Sequence, residues 1–99
     1  MNAISSIALS GLHSAQTRMG SAAHNIANAV TPSFHRQVVA QQAVPGGGVA
    51  TTIERSPVAG DAMIEDMVAL KLAQHLFSAN LKVLRTQDQM LGTLLDEQA

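Results

Sequence analysis

The chain has no cysteine, tryptophan or tyrosine, and its only aromatic rings beyond histidine are Phe34 and Phe77. Without cysteine there is no disulfide, no thiolate metal ligand and no cysteine nucleophile. The aromatic anchors that dominate ligand pockets and interface hot spots are almost missing, which disfavours a small-molecule site. Six basic and seven acidic side chains leave a net charge of -1, far from the cationic surplus that phosphate backbones demand, so no nucleic-acid partner is expected. No apolar run approaches the roughly 20 residues of a membrane span, so direct membrane insertion is not expected either. The N-terminal stretch has no basic residue before Arg18 and no apolar run longer than Ile7-Ala8-Leu9. It therefore does not read as a cleaved secretory signal peptide. The first acidic residue is Glu54, but two arginines, Arg18 and Arg36, are too few for an organelle transit peptide.

What is present is alanine and helical period. At 99 residues the chain makes one domain, and 16 of its apolar residues are alanine, so the core must be thin. From Asn2 to Asn28, Ile4, Ala8, Leu12, Ala15, Met19, Ala22 and Ile26 recur every three or four residues, the signature of one helix face. The opposite face carries Ser6, Ser10, His13, Thr17, Ser21, His24 and Asn28, polar yet almost uncharged. Gly11 and Gly20 each weaken this helix by about 1 kcal/mol, so it needs a partner. Pro32 ends it. Residues 29–60 read as an extended connector containing a β-hairpin around Pro45-Gly46-Gly47-Gly48, with a flexible tip.

Asp61 is the expected N-cap of a second long helix over 61–96, with Glu65 and Asp66 favoured near its positive end. One stripe of this helix is Met63, Met67, Leu70, Phe77, Leu81, Leu84, Leu91 and Leu95. A second, Val68, Leu72, Leu76, Val83, Met90 and Leu94, lies roughly opposite at 100° per residue. A helix apolar on two faces is buried on two faces, and a single one-faced partner covers only one. The second stripe then marks an interface, unless the two stripes form one broad core face.

Residues that could carry chemistry are scattered. His13 and His24 lie about 16 Å apart along a helix, too far to share a metal. Glu65, Asp66, His75 and Asp88 form no ligand set, and Gly46-Gly47-Gly48 opens no helix to cradle a phosphate. No nucleophile elbow occurs. Neither cofactor, metal site nor enzymatic activity is expected.

Two segments resemble one known family. LSGLHSAQTRMGSAAHNIANAVTPSFHRQ, from Leu9 to Gln37, resembles the N-terminal signature of the bacterial flagellar rod and hook proteins. There a small-residue helix runs into Asn-Ile-Ala-Asn and a Thr-Pro-Gly-Phe/Tyr-Lys-Arg turn. The stretch from Met67 to Asp96, centred on FSANLKVLRTQDQMLGTLLD, is similar to the family's C-terminal helix. The matching positions are Asn25, Ile26, Ala27, Asn28, Thr31, Pro32, Phe34 and Arg36, then Ala79, Asn80, Leu81 and Leu84. Ser33 stands where the family usually has Gly, His35 where it has Lys, Ser78 for an acidic residue and Phe77 for Tyr.

The resemblance implies a mainly α fold, in which two long amphipathic terminal helices pair as an antiparallel coiled-coil hairpin joined by a short extended or β-hairpin connector. It implies a structural subunit of the flagellar basal-body proximal rod, self-assembling through these helices. Its implied partners are copies of itself, other rod and basal-body subunits, and the flagellar export apparatus that delivers it to the periplasm-spanning rod. Leu72, Leu76, Phe77, Val83 and Leu94 join the matched positions as expected assembly residues. The alternative is a soluble rod-like interaction module that regulates or caps flagellar assembly or export.

Overall fold

A computed structural model describes residues 3–98 of the chain; Asn2, where the helical period is expected to begin, lies outside them. Four elements follow in order: helix α1 (Ala3–Ala27), strands β1 (His35–Ala43) and β2 (Val49–Ala59), and helix α2 (Met63–Gln98). The fold is mainly helical, two helices joined by a two-stranded antiparallel hairpin. It is elongated, 63 × 25 × 13 Å.

The helices run antiparallel with a constant register. The Ser5 hydroxyl donates to Gln87 Oε1 at 2.7 Å near one end, and Asn25 reaches Asp66 at the other. Midway, Gly11 faces Asn80 so closely that a Cβ on Gly11 would lie 2.5 Å from the amide oxygen. Only glycine permits that approach without displacing Asn80. The seam is built of small residues: Ala8, Leu12, Ala15 and Ala22 on α1 and Ala73 on α2 are buried, and no large side chain is fully buried among the described residues.

On α2 the seam is not the stripe expected from periodicity. Met63, Leu70, Phe77, Leu81 and Leu84 are half-buried, but Met67, Leu91 and Leu95 are exposed, and Asp66, Ala73 and Gln87 are the buried positions. The contact line steps alternately by three and four through Asp66, Leu70, Ala73, Phe77, Asn80, Leu84 and Gln87. It accepts polar residues because each has a partner on α1 or within its own helix. Helix α2 also starts later than its expected cap. Ala62, not Asp61, accepts the first helical bond, from the Asp66 amide at 2.9 Å.

The hairpin lies along one edge of the polar side of α1. Gln41 accepts from Arg18 at 2.5 Å and bonds Ser14, while Val49 donates its amide to Ser10 at 3.2 Å. Ser14, Ser21 and Asn25 are buried there, whereas Ser6, His13 and His24 of the uncharged face stay exposed. The strands pair in register from Gln37 opposite Arg55 to Ala43 opposite Val49, with an irregularity between His35 and Gln37. The tip expected to be flexible is seated on the helix: a Cβ on Gly47 would fall 2.8 Å from Ile7 Cδ1, and one on Gly48 would meet Ser10.

Candidate assembly site

Where α1, β1 and α2 meet, four polar groups lock together. Asn25, 2% exposed, donates from Nδ2 to the Gln37 carbonyl at 2.9 Å and accepts the Gln37 amide at Oδ1 at 2.8 Å. Its side-chain amide thus imitates one residue of a paired strand and closes the outer edge of β1 at that point. Nδ2 also lies 3.3 Å from Asp66 Oδ1. Asp66 is buried in turn, and Arg36 binds it as a two-pronged fork, Nε to Oδ2 at 3.0 Å and Nη2 to Oδ1. A buried carboxylate is tolerable only when paired and hydrogen-bonded in this way. The bond to Asp66 raises the Arg36 pKa further above its already high value, so Arg36 keeps its charge at any physiological pH. This latch fixes the direction in which the connector leaves the helices.

The turn between α1 and β1 is held locally. Asn28 Nδ2 donates to the His24 carbonyl at 2.9 Å, and Thr31 Oγ1 donates to Asn28 Oδ1 at 3.2 Å. These bonds satisfy groups left open at the helix end. Phe34 packs on the His24 ring, centroids 5.4 Å apart and tilted by 56°, and its carbonyl accepts from Gly60 at 2.9 Å to close the hairpin base. Ser33 adopts φ +58°, the left-handed conformation that glycine takes at least cost. Thr31 and Pro32 are exposed, and Val30 is 92% exposed.

The matched residues therefore fall into separate groups. Asn25 and Arg36 share the latch; Asn28, Thr31 and Phe34 order the turn; Ile26, Phe77, Asn80, Leu81 and Leu84 are half-buried; Ala27 and Ala79 are exposed. Leu72, Leu76, Val83 and Leu94 are exposed, together with Val68 and Met90, along one line of α2. Sequence reasoning missed the role of Asp66, which reads as a helix-dipole anion but serves as the partner of Arg36. It also missed Gln37, whose contribution is backbone only and leaves no side-chain signal. Among the described residues, no group of three or more acidic or histidine side chains is placed to hold a metal, and no helix is long and apolar enough to cross a membrane.

Residues 62–97, which span nearly all of α2, match the family model for the flagellar basal body rod FlgEFG protein C-terminal. Helix α2 is thus similar to the C-terminal segment of that family. The match supports a member of the rod and hook family, and it points to a structural protein of the flagellar basal body. No curated protein matches the chain. In α2 the exposed apolar line and the seam toward α1 occupy different faces, so pairing within the chain leaves a second face open.

Proposed function

We propose that the protein is a structural subunit of the flagellar basal-body rod, in its proximal part, that assembles with copies of itself and with other rod subunits through its terminal helices. The observation that carries this reading is the exposed line Val68, Leu72, Leu76, Val83, Met90 and Leu94 on a rod-family helix. Isolated surface leucines need no explanation, but six large apolar residues along one face of one helix form a patch of the kind that marks a protein interface. Burying it against a second helix is favourable by about 25 cal/mol per Å². In the assembled state the α1–α2 pair acts as a coiled-coil unit, with the three-four seam inside and the exposed line facing a neighbour. The latch serves this role by giving every copy the same connector angle, as a helical polymer requires. Delivery through the flagellar export apparatus belongs to the same proposal.

The test is deletion of the gene followed by electron microscopy of purified basal bodies. Missing or truncated rods are expected. Intact rods in altered number would instead assign the chain to regulation or capping of assembly or export. Leu72→Asp/Leu76→Asp, which lies on the open face, should leave helicity intact and abolish recovery of the protein in basal bodies.

A further inference from the structure

In an antiparallel ladder, residues that bond across to the partner strand alternate with residues whose backbone groups point away from it. Here the alternation is fixed at three places. The Val44 amide donates across the hairpin to the Gly48 carbonyl at 3.1 Å. The Gln37 amide and carbonyl turn outward to Asn25, and the Val49 amide turns outward to Ser10. By the strand register, the odd-numbered residues from Gln37 to Ala43 and from Val49 to Arg55 therefore all point their backbone groups outward. On β1 that outer edge runs toward α1, where Asn25 caps it. On β2, Ser10 takes the Val49 amide at one end, and Pro57 at the other has no amide to give. Between them the amides and carbonyls of Thr51, Ile53 and Arg55 have no partner among the described residues. The α2 backbone does not approach β2, and Ile53 is 53% exposed.

An open run of ladder positions is a template on which another strand adds, and a sheet of two strands is marginal without more. We propose that the outer edge of β2 docks the same edge of a second copy of this chain, joining two hairpins into one four-stranded antiparallel sheet. The open stretch from Thr51 to Arg55 is symmetrical about Ile53. With Ile53 opposite Ile53, Thr51 faces Arg55 of the second copy and every outward amide and carbonyl finds a partner. Thr52 then faces Glu54 of the second copy, so no like charges stand opposite. A pairing centred on position 54 would set Glu54 against Glu54, and one centred on position 52 would call on Val49, whose amide is already taken. The same surface serves both copies, so the contact closes a pair rather than propagating. It uses no residue of the apolar line of α2 and stands independently of the rod reading: copies paired in opposite senses belong to the subunit outside a head-to-tail polymer.

The chain has no cysteine, so engineered disulfides report the register directly. Full-length Thr52→Cys and Glu54→Cys proteins, each also carrying Leu72→Asp and Leu76→Asp to silence the α2 face, are mixed and mildly oxidised. In the proposed pair these two positions lie about 4.5 Å apart between Cα atoms, within disulfide reach, whereas identical positions of the two copies lie beyond it. Mixed dimers should exceed those from either variant alone by at least tenfold. Ile53→Pro removes an outward amide and no bond of the hairpin, so it should cut the mixed-dimer yield at least tenfold with an unchanged thermal melt. Thr52→Pro removes the inward amide opposite Ala40 and should lower the melt. If mixed dimers are not enriched, or if Ile53→Pro leaves their yield intact, the docking edge is overturned. Loss of mixed dimers with a melt lowered as far as by Thr52→Pro would place the Ile53 amide inside the hairpin and overturn it as well. None of these outcomes bears on the α2 interface, which is disabled throughout.

Discussion

Asn25 bonds both the amide and the carbonyl of Gln37, so a side chain on α1 completes a strand edge twelve residues away. An aspartate at position 25 keeps the shape but cannot donate to the carbonyl, and it sets a second carboxylate beside Asp66. Asn25→Asp should therefore destabilise the fold by roughly 2–3 kcal/mol. The carboxylate can still accept the Gln37 amide, so the readout is denaturant unfolding, with a lower midpoint expected than for the wild-type chain. Equal midpoints would show that the bond donated to the Gln37 carbonyl does not hold the latch.

Arg36 and Asp66 should behave as a coupled pair. Arg36→Met leaves the buried Asp66 carboxylate without its cation and should cost about 3 kcal/mol. Asp66→Leu in the same chain should return most of that loss, because two apolar groups need no partner. Denaturant unfolding of the two single variants and the double variant measures the coupling. Additive losses would mean that the two side chains act independently.

Gly47 combines φ +106° with close contact to Ile7. Gly47→Ala should cost about 1–2 kcal/mol from backbone strain alone, read as a lower melting temperature. Removing the clash as well, by Ile7→Ala, should recover only the steric part, since the strain stays.

The opposite sign is expected at the other turn. Ser33 holds φ +58° without the freedom of glycine, so Ser33→Gly should stabilise the chain by about 1 kcal/mol. For a domain of this size that is a rise of roughly 4–8 °C in melting temperature. A fall would mean that the unfolded-state entropy added by glycine outweighs the strain relieved.

These residues also mark how far the sequence could be read. Both helices are legible because Ile4 to Ile26 and Met63 to Leu95 repeat at helical spacing, and the hairpin because Pro45 and three glycines separate two β-prone runs. The resemblance at α2 is legible because a helix that pairs along its length constrains many positions at once. What periodicity cannot supply is pairing across distance. Nothing local distinguishes Asp66 from Glu65, yet Asp66 is buried against Arg36 and Glu65 is exposed. For the same reason periodicity puts Met67 in the α2 seam where Asp66 lies: it follows apolar residues, and Asp66 and Gln87 enter the seam because α1 offers Asn25 and Ser5. Of the uncharged face of α1 the hairpin buries only Ser21, and Ser6, His13 and His24 stay exposed.

Helix α2 has 36 residues against 25 in α1, and the shared register aligns Ser5 with Gln87, so among the described residues the last turns of α2 extend beyond Ala3. At 1.5 Å per residue this is a single-thickness tongue of about 15 Å beyond a double-thickness bar. In the proposed assembly, bars of that profile would meet in lap joints rather than butt joints, so that bending and twisting loads would cross each joint through the continuous backbone of α2.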